Sequence, residues 1–136
     1  MDGNRSLKPL QIALVAVGII FIVGVYPLTV LWPAGWIWHT TGHSDYLQMI
    51  LGVYATLGVF LILAARNPLE NLSLIWFTVW SSVVHGGIMA VQAWTYPEHR
   101  GHLLGDVPAL LLIALVLAIL TPRGEKAPAA QHAAAS

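Results

Sequence analysis

The sequence predicts an all-α fold, an integral membrane bundle of four antiparallel helices, from three observations. Of its 136 residues, 57 % are hydrophobic and only 9 % are charged, whereas a soluble domain usually carries about a quarter charged residues. The mean hydropathy is +0.74. Four stretches approach the roughly 20 apolar residues that a helix needs to cross about 30 Å of hydrocarbon. We therefore expect residues 1–121 to form one transmembrane domain with the lipid bilayer as its solvent.

The first two helices follow from their composition and their start signals. The first is expected at about residues 9–31, which contain no charged residue. This apolar run is longer than the core of a signal peptide, so we interpret it as a retained anchor. The second helix is expected at about residues 45–65. Ser44 is suited to cap it, and Asp45 is favourable in its first turn.

The third helix is expected at about residues 68–94. Asn67 is suited to cap it and Pro68 to be its first residue, and the same residues end the second helix. The two helices should then form a hairpin. Small residues occur at helical spacing on both of them, which predicts that they pack tightly together. These residues are Gly52, Ala55, Thr56 and Gly58 on the second helix and Ser82, Gly86 and Ala90 on the third.

The fourth helix is expected at about residues 103–121. Pro108 is compatible with a helix only near its start, and Asp106 is available there as a cap. The remaining residues, 122–136, are rich in alanine and polar residues. Such a composition predicts a disordered tail.

The distribution of positive charge predicts the orientation in the membrane. Five of the six Lys and Arg residues fall on the side that holds both termini, and only Arg100 falls on the other. By the positive-inside rule, a multi-pass protein of the cell membrane with this pattern has cytoplasmic N- and C-termini. The outer side then carries residues 32–43 and 95–102.

Charge and cysteine content exclude several classes of function. The formal net charge is zero, so nothing favours binding to nucleic acid. The chain has no cysteine, which excludes disulfides, thiolate metal sites and cysteine nucleophiles. The partner that composition predicts is the bilayer, with a second membrane protein or another copy of the chain as a further possibility.

The third helix carries a polar stripe at helical spacing, which should face the other helices because polar groups facing lipid are costly. Within it, His85 is the one ionisable residue deep inside an expected span, and such residues are usually functional. The alternative is a neutral histidine that joins two helices through Ser, Tyr or a backbone carbonyl. The stripe consists of Thr78, Ser81, His85, Met89 and Gln92.

The polar residues near the outer end predict an outward-facing pocket. We expect it to bind a partner or a small hydrophobic ligand, since no catalytic motif is complete. The alternative function is a metal- or quinone-dependent membrane oxidoreductase, or a subunit of one, that uses His85 with Asp45 or Asp106. The expected pocket lining is Ser81, His85, Met89, Asp45, Tyr46 and Asp106.

Four histidines at the outer end predict a metal site as a further possibility. They form two pairs, one with three intervening residues and one with two, and such pairs chelate if they are helical. Imidazole and carboxylate together suit Zn, Fe, Cu or Mn, although neither pair belongs to a recognisable metalloenzyme motif. A haem held by two histidines inside the membrane is disfavoured because only His85 lies there. The four are His39, His43, His99 and His102.

Three segments, residues 42–50, 54–58 and 81–87, resemble a family of small bacterial four-helix membrane proteins of unknown function. The resemblance covers about residues 40–120 and implies a location in the cell inner membrane. The general plan is also similar to DoxX-like proteins, some of which are linked to quinone-dependent redox complexes. Neither resemblance implies a role for any single residue.

Overall fold

The computed structural model describes residues 6–38 and 44–123, and these residues form helices and turns without any strand. Four helical segments are long and apolar enough to cross a membrane, and the third and fourth of them include the 3-10 turns that precede the α-helices. This confirms the prediction of an all-α chain with four candidate spans. His39, His43 and nearly all of the expected tail lie outside the described residues. The helices are α1 (Lys8–Leu31), α2 (Asp45–Ala64), α3 (Leu72–Thr95) and α4 (Asp106–Leu120).

Helix α1 continues past a proline by means of one widened turn. Pro27 has no N–H to donate, and its ring crowds the carbonyl of Val23 four residues earlier. The preceding residues, Ile20–Gly24, form a π-helical turn in which the Val25 N–H bonds to the carbonyl of Ile20. Such a turn accommodates the break in the hydrogen-bond ladder, so α1 remains a single long helix.

The helix starts agree with the sequence in part. The Ser44 hydroxyl accepts a hydrogen bond from the Leu47 N–H at 3.2 Å, which confirms this cap. Asn67 occupies the cap position and Pro68 is the first residue of the 3-10 turn Pro68–Asn71 that precedes α3, but the Asn67 side chain makes no capping hydrogen bond. Gly105 occupies the cap position of α4. The prediction that Asp106 caps α4 is wrong because its carboxylate bonds to other side chains.

All four helices contribute to one apolar core. A second, smaller cluster of Met89, Val107 and Leu110 joins α3 to α4 beyond it. The outside of the molecule carries many large apolar side chains, with Phe77 and Trp80 more than 60 % exposed. Such a surface suits lipid rather than water. The main core consists of Leu10, Leu14, Val17, Phe21, Leu61, Ala65, Ile75, Val79, Ala114 and Leu117.

The helices pair differently from the sequence prediction. Helix α2 packs mainly against α1, and α3 packs mainly against α4, while α2 and α3 contact each other little. The expected tight packing of α2 on α3 is therefore wrong. Their small residues approach other helices instead: a Cβ built on Gly58 would lie 2.6 Å from the carbonyl oxygen of Gly18 in α1, and Gly86 faces Leu111 of α4.

Candidate functional site

Four side chains from two distant segments converge at the start of α4, and we call them the Asp106 cluster: Trp38, His99, His102 and Asp106. His102 belongs to the 3-10 segment Pro97–Leu103 and is only 1 % exposed. Its Nδ1 lies 2.9 Å from Oδ2 of Asp106. The Trp38 indole N–H donates to the same oxygen at 2.9 Å, and its ring stacks on His102 with centroids 3.9 Å apart.

The ring of His102 joins two parts of the chain through its two nitrogen atoms. Its Nε2 lies 3.1 Å from the carbonyl oxygen of Ile37, so both ring nitrogens face acceptors. His102 is thus bonded on one side to Asp106 and on the other to the backbone of the segment 33–38. Oδ1 of Asp106 is buried without a hydrogen-bond partner among the described residues. The remaining contacts make this cluster a clamp between the segment 33–38 and α4.

Two glycines support this clamp. A Cβ on Gly101 would meet the carbonyl oxygen of Ala34, and one on Gly105 would meet that of Gly35. Neither position has room for a side chain, because the two backbones lie directly against each other there. The backbone packing and the Asp106 cluster thus hold the same two segments together.

A second polar contact joins α2 to α3. The Tyr54 hydroxyl and Nδ1 of His85 are 2.6 Å apart, and both side chains are half-buried. The Tyr54 ring also packs edge-on against Phe21 of α1, with centroids 4.9 Å apart. We call Tyr54 and His85 the Tyr54–His85 pair. This contact matches the alternative in which the histidine joins two helices through a tyrosine.

The residues predicted to line one pocket occupy different surroundings. His85 bonds to Tyr54, whereas Asp106 bonds to His102 and Trp38. Met89 is buried in the small apolar cluster that Trp38 and Tyr54 both flank. The remaining three face elsewhere: the Ser81 hydroxyl donates to the Thr78 carbonyl of its own helix, and Asp45 and Tyr46 are exposed at the start of α2.

The described residues offer little support for a metal centre. His99 and His102 contact each other edge-on, with centroids 5.8 Å apart, but both nitrogens of His102 already face protein oxygens. Within residues 6–38 and 44–123, no three His, Asp or Glu side chains form a group that could hold a metal ion. His39 and His43 lie outside these ranges, so the four-histidine site stays a prediction.

An open apolar groove of about 710 Å³ runs along α2. Gly52 forms part of its floor, and a Cβ built there would meet no atom within 4 Å. Leu57, which also lines the groove, lies one helical turn from Tyr54, so the groove passes the level of the Tyr54–His85 pair. The lining residues are Met49, Gly52, Val53, Thr56, Leu57, Phe60 and, from α3, Leu74.

Comparison with known proteins assigns no chemistry to these residues. The model of a family of unknown function, DUF6632, matches residues 5–134. The match includes both the Asp106 cluster and the Tyr54–His85 pair. No curated protein and no solved structure matches the chain.

Proposed function

The chain belongs to the DUF6632 family, whose function is unknown, and from its geometry we propose a membrane protein that binds a small hydrophobic ligand in the groove along α2. The observation that carries this proposal is the open apolar groove itself, and the polar Tyr54–His85 contact lies one helical turn from Leu57 of its lining. A few polar groups beside an apolar cavity are the usual mark of a binding site. An ionisable residue inside a membrane span is usually functional.

The proposal includes an arrangement in the membrane. We infer an antiparallel four-helix bundle with both termini in the cytoplasm of the cell. A core that draws on all four helices supports the bundle, and the excess of Lys and Arg on the side of the termini supports the orientation. The Asp106 cluster then lies on the outer side, and the groove faces the lipid from which a hydrophobic ligand would enter.

A quinone-dependent oxidoreductase, or a subunit of one, is a second candidate. The observation that favours it is that the Tyr54–His85 pair combines a phenol and an imidazole, which both exchange protons. A quinone is also a hydrophobic molecule, so binding in the groove would be common to both candidates. A metal-dependent version would rest on His39 and His43, outside the described residues.

The groove is tested by filling it. Gly52→Phe adds a ring to its floor, and Gly87→Phe adds the same ring to α3 at a matched position, since a Cβ at either glycine meets no atom within 4 Å. The full chain, purified in detergent, is titrated with the neutral fluorescent probe N-phenyl-1-naphthylamine. We expect Gly52→Phe to weaken binding about tenfold, or ~1.4 kcal/mol, and Gly87→Phe to bind like wild type.

Equal binding by all three proteins, or none by wild type, would exclude the groove as the site. Light scattering on the same samples gives the oligomeric state. A wild-type dimer that Gly52→Phe alone converts to a monomer would assign the groove to a second copy of the chain and reject the small ligand.

A further inference from the structure

A hydrogen bond between the start of α1 and the end of α2 brings two basic side chains to one place. The side-chain amide nitrogen of Gln11 donates to the carbonyl oxygen of Ala65 at 2.9 Å. Lys8 lies three residues before Gln11 on the same face of α1, and Arg66 directly follows Ala65 in sequence. Both basic residues therefore lie within about one helical turn, or ~5 Å, of this hydrogen bond.

The described protein does not neutralise the charges of Lys8 and Arg66. Both residues are exposed, and within the described part of the chain neither forms an ion pair with a carboxylate. Glu70 lies four positions after Arg66 and makes no ion pair with it. Two positive charges held close together without an acidic partner attract an anion.

The end of α4 adds positive charge to the same region. Its second half packs against the start of α1, because Leu117 and Leu10 are buried in one core. Arg123 follows the end of α4 and is exposed. A third basic side chain thus lies at the end of the helices that carries Lys8 and Arg66.

Lys8 and Arg66 lie at the edge of the candidate spans. One span begins at Lys8 and the next ends at Ala64, so these charges lie at the level of the headgroups that border the hydrocarbon core. Exposed apolar side chains follow on both helices toward the middle of the spans, with Ile12 on α1 and Leu63 on α2. A phospholipid would place its phosphate beside the charges and its acyl chains along these side chains.

We propose that Lys8 and Arg66 form a binding site for the phosphate of an anionic phospholipid in the leaflet at this end of the helices. The planar guanidinium of Arg66 can donate two hydrogen bonds to one phosphate, and Lys8 adds a point charge. Basic residues next to membrane spans recognise anionic headgroups in this way. A zwitterionic headgroup carries its own cation, so it should bind less well. This site is separate from the groove along α2.

Two lipids with the same acyl chains and different headgroups test this site. The full chain in detergent is mixed with equal concentrations of dioleoylphosphatidylglycerol, which is anionic, and dioleoylphosphatidylcholine, which is zwitterionic. Native mass spectrometry then measures how much of each is bound. We expect wild type to prefer the anionic lipid about tenfold or more. Arg66→Gln should lower this preference about fivefold, as a loss of ~1 kcal/mol per basic residue gives.

Arg100→Gln is the matched control, because it removes the same charge from an exposed position in the 3-10 segment between α3 and α4. It should keep the wild-type preference. Lys8→Gln changes a different helix and should repeat the effect of Arg66→Gln. Arg66→Lys keeps the charge and should keep most of the preference. Unchanged binding of dioleoylphosphatidylcholine by each variant would show that the protein is folded.

Three results would overturn the proposal. Wild type could bind the two lipids equally. Arg66→Gln and Arg100→Gln could lower the preference equally, which would attribute it to net charge rather than to a site. Glycerophosphoglycerol, the same headgroup without acyl chains, could displace the anionic lipid at an equal concentration, which would identify a soluble phosphate ester as the ligand.

Discussion

Asp106 acts as a junction between two parts of the chain that are far apart in sequence. Its Oδ2 accepts from Trp38, 68 positions earlier, and contacts the ring of His102, four positions earlier. Buried polar groups are stable when they are hydrogen-bonded, and His102 has a further bond to the carbonyl oxygen of Ile37. These contacts give Asp106 a structural role, and the ligand contact expected from its position stays a prediction.

Replacing Asp106 by asparagine should destabilise the protein. Asp106→Asn keeps the size of the side chain but puts an amide NH₂ among buried atoms where Oδ1 has no hydrogen-bond partner among the described residues, and a buried unsatisfied donor costs about 1–3 kcal/mol. Glu98→Gln serves as the control, because it removes an exposed carboxylate from the 3-10 segment that carries His102. Thermal unfolding in detergent, followed by circular dichroism, should show a clearly lower Tm for Asp106→Asn only. Equal Tm values would show that the clamp contributes nothing to stability.

The sequence identified His85 but not its partner. A lone ionisable residue in an apolar span is easily recognised, because charge and hydropathy are properties of a residue and its neighbours in sequence. Its partner Tyr54 lies 31 positions away on another helix, and helical periodicity orders only the residues of one helix. Of the Asp106 cluster, only the spacing of His102 and Asp106, four residues apart, was visible in the sequence. The contact with Trp38 depends on how the segments dock.

At the scale of whole helices, prediction from the sequence has the same limit. Small residues correctly indicated that α2 approaches another helix closely, but the helix it approaches is α1. The contact is reciprocal, since a Cβ on Gly18 would lie 2.7 Å from the carbonyl oxygen of Gly58. A stripe of small residues indicates that another helix can approach closely, but it does not indicate which helix. The neighbour in sequence, α3, is therefore not the helix against which α2 packs most closely.

Gly58→Ala, which adds one methyl group, should push α1 and α2 apart. The atom that a Cβ would meet is a backbone oxygen, which cannot move aside as a side chain would, and overpacking of this kind costs about 1–3 kcal/mol. Gly52→Ala is the matched control on the same helix, because its Cβ meets no atom within 4 Å. It should stabilise α2 by about 0.5–1 kcal/mol.

The two variants should thus change the Tm in opposite directions, measured by thermal unfolding in the same detergent. A Gly58→Ala protein as stable as Gly52→Ala would contradict the close crossing of α1 and α2.

At the scale of the whole molecule, composition was sufficient for the fold class and the number of candidate spans. Length and hydropathy are sums over local sequence, so they need no knowledge of tertiary contacts. The order of the helices around the core and the groove along α2 arise from contacts between distant residues. The orientation also follows from local sequence, namely from where Lys and Arg lie relative to the spans, and it stays a prediction.

The orientation can be tested with single cysteines because the chain has none of its own. Glu70→Cys places a thiol in the turn between α2 and α3, and Glu98→Cys places one between α3 and α4; both positions are exposed. Gly101, in the same segment as Glu98, is unsuitable for a labelling cysteine, since a Cβ there would meet the backbone of Ala34. We expect a membrane-impermeant maleimide to label Glu98→Cys in intact cells and Glu70→Cys only after lysis, because Arg66 lies on the side with most of the positive charge.

The reverse labelling pattern would place the Asp106 cluster in the cytoplasm and overturn the assignment of the termini. The groove and the Tyr54–His85 pair would be unaffected by that result, because both lie within the candidate spans. A ligand that enters from the bilayer does not depend on which end of the bundle faces out. Labelling therefore tests the arrangement in the membrane separately from ligand binding.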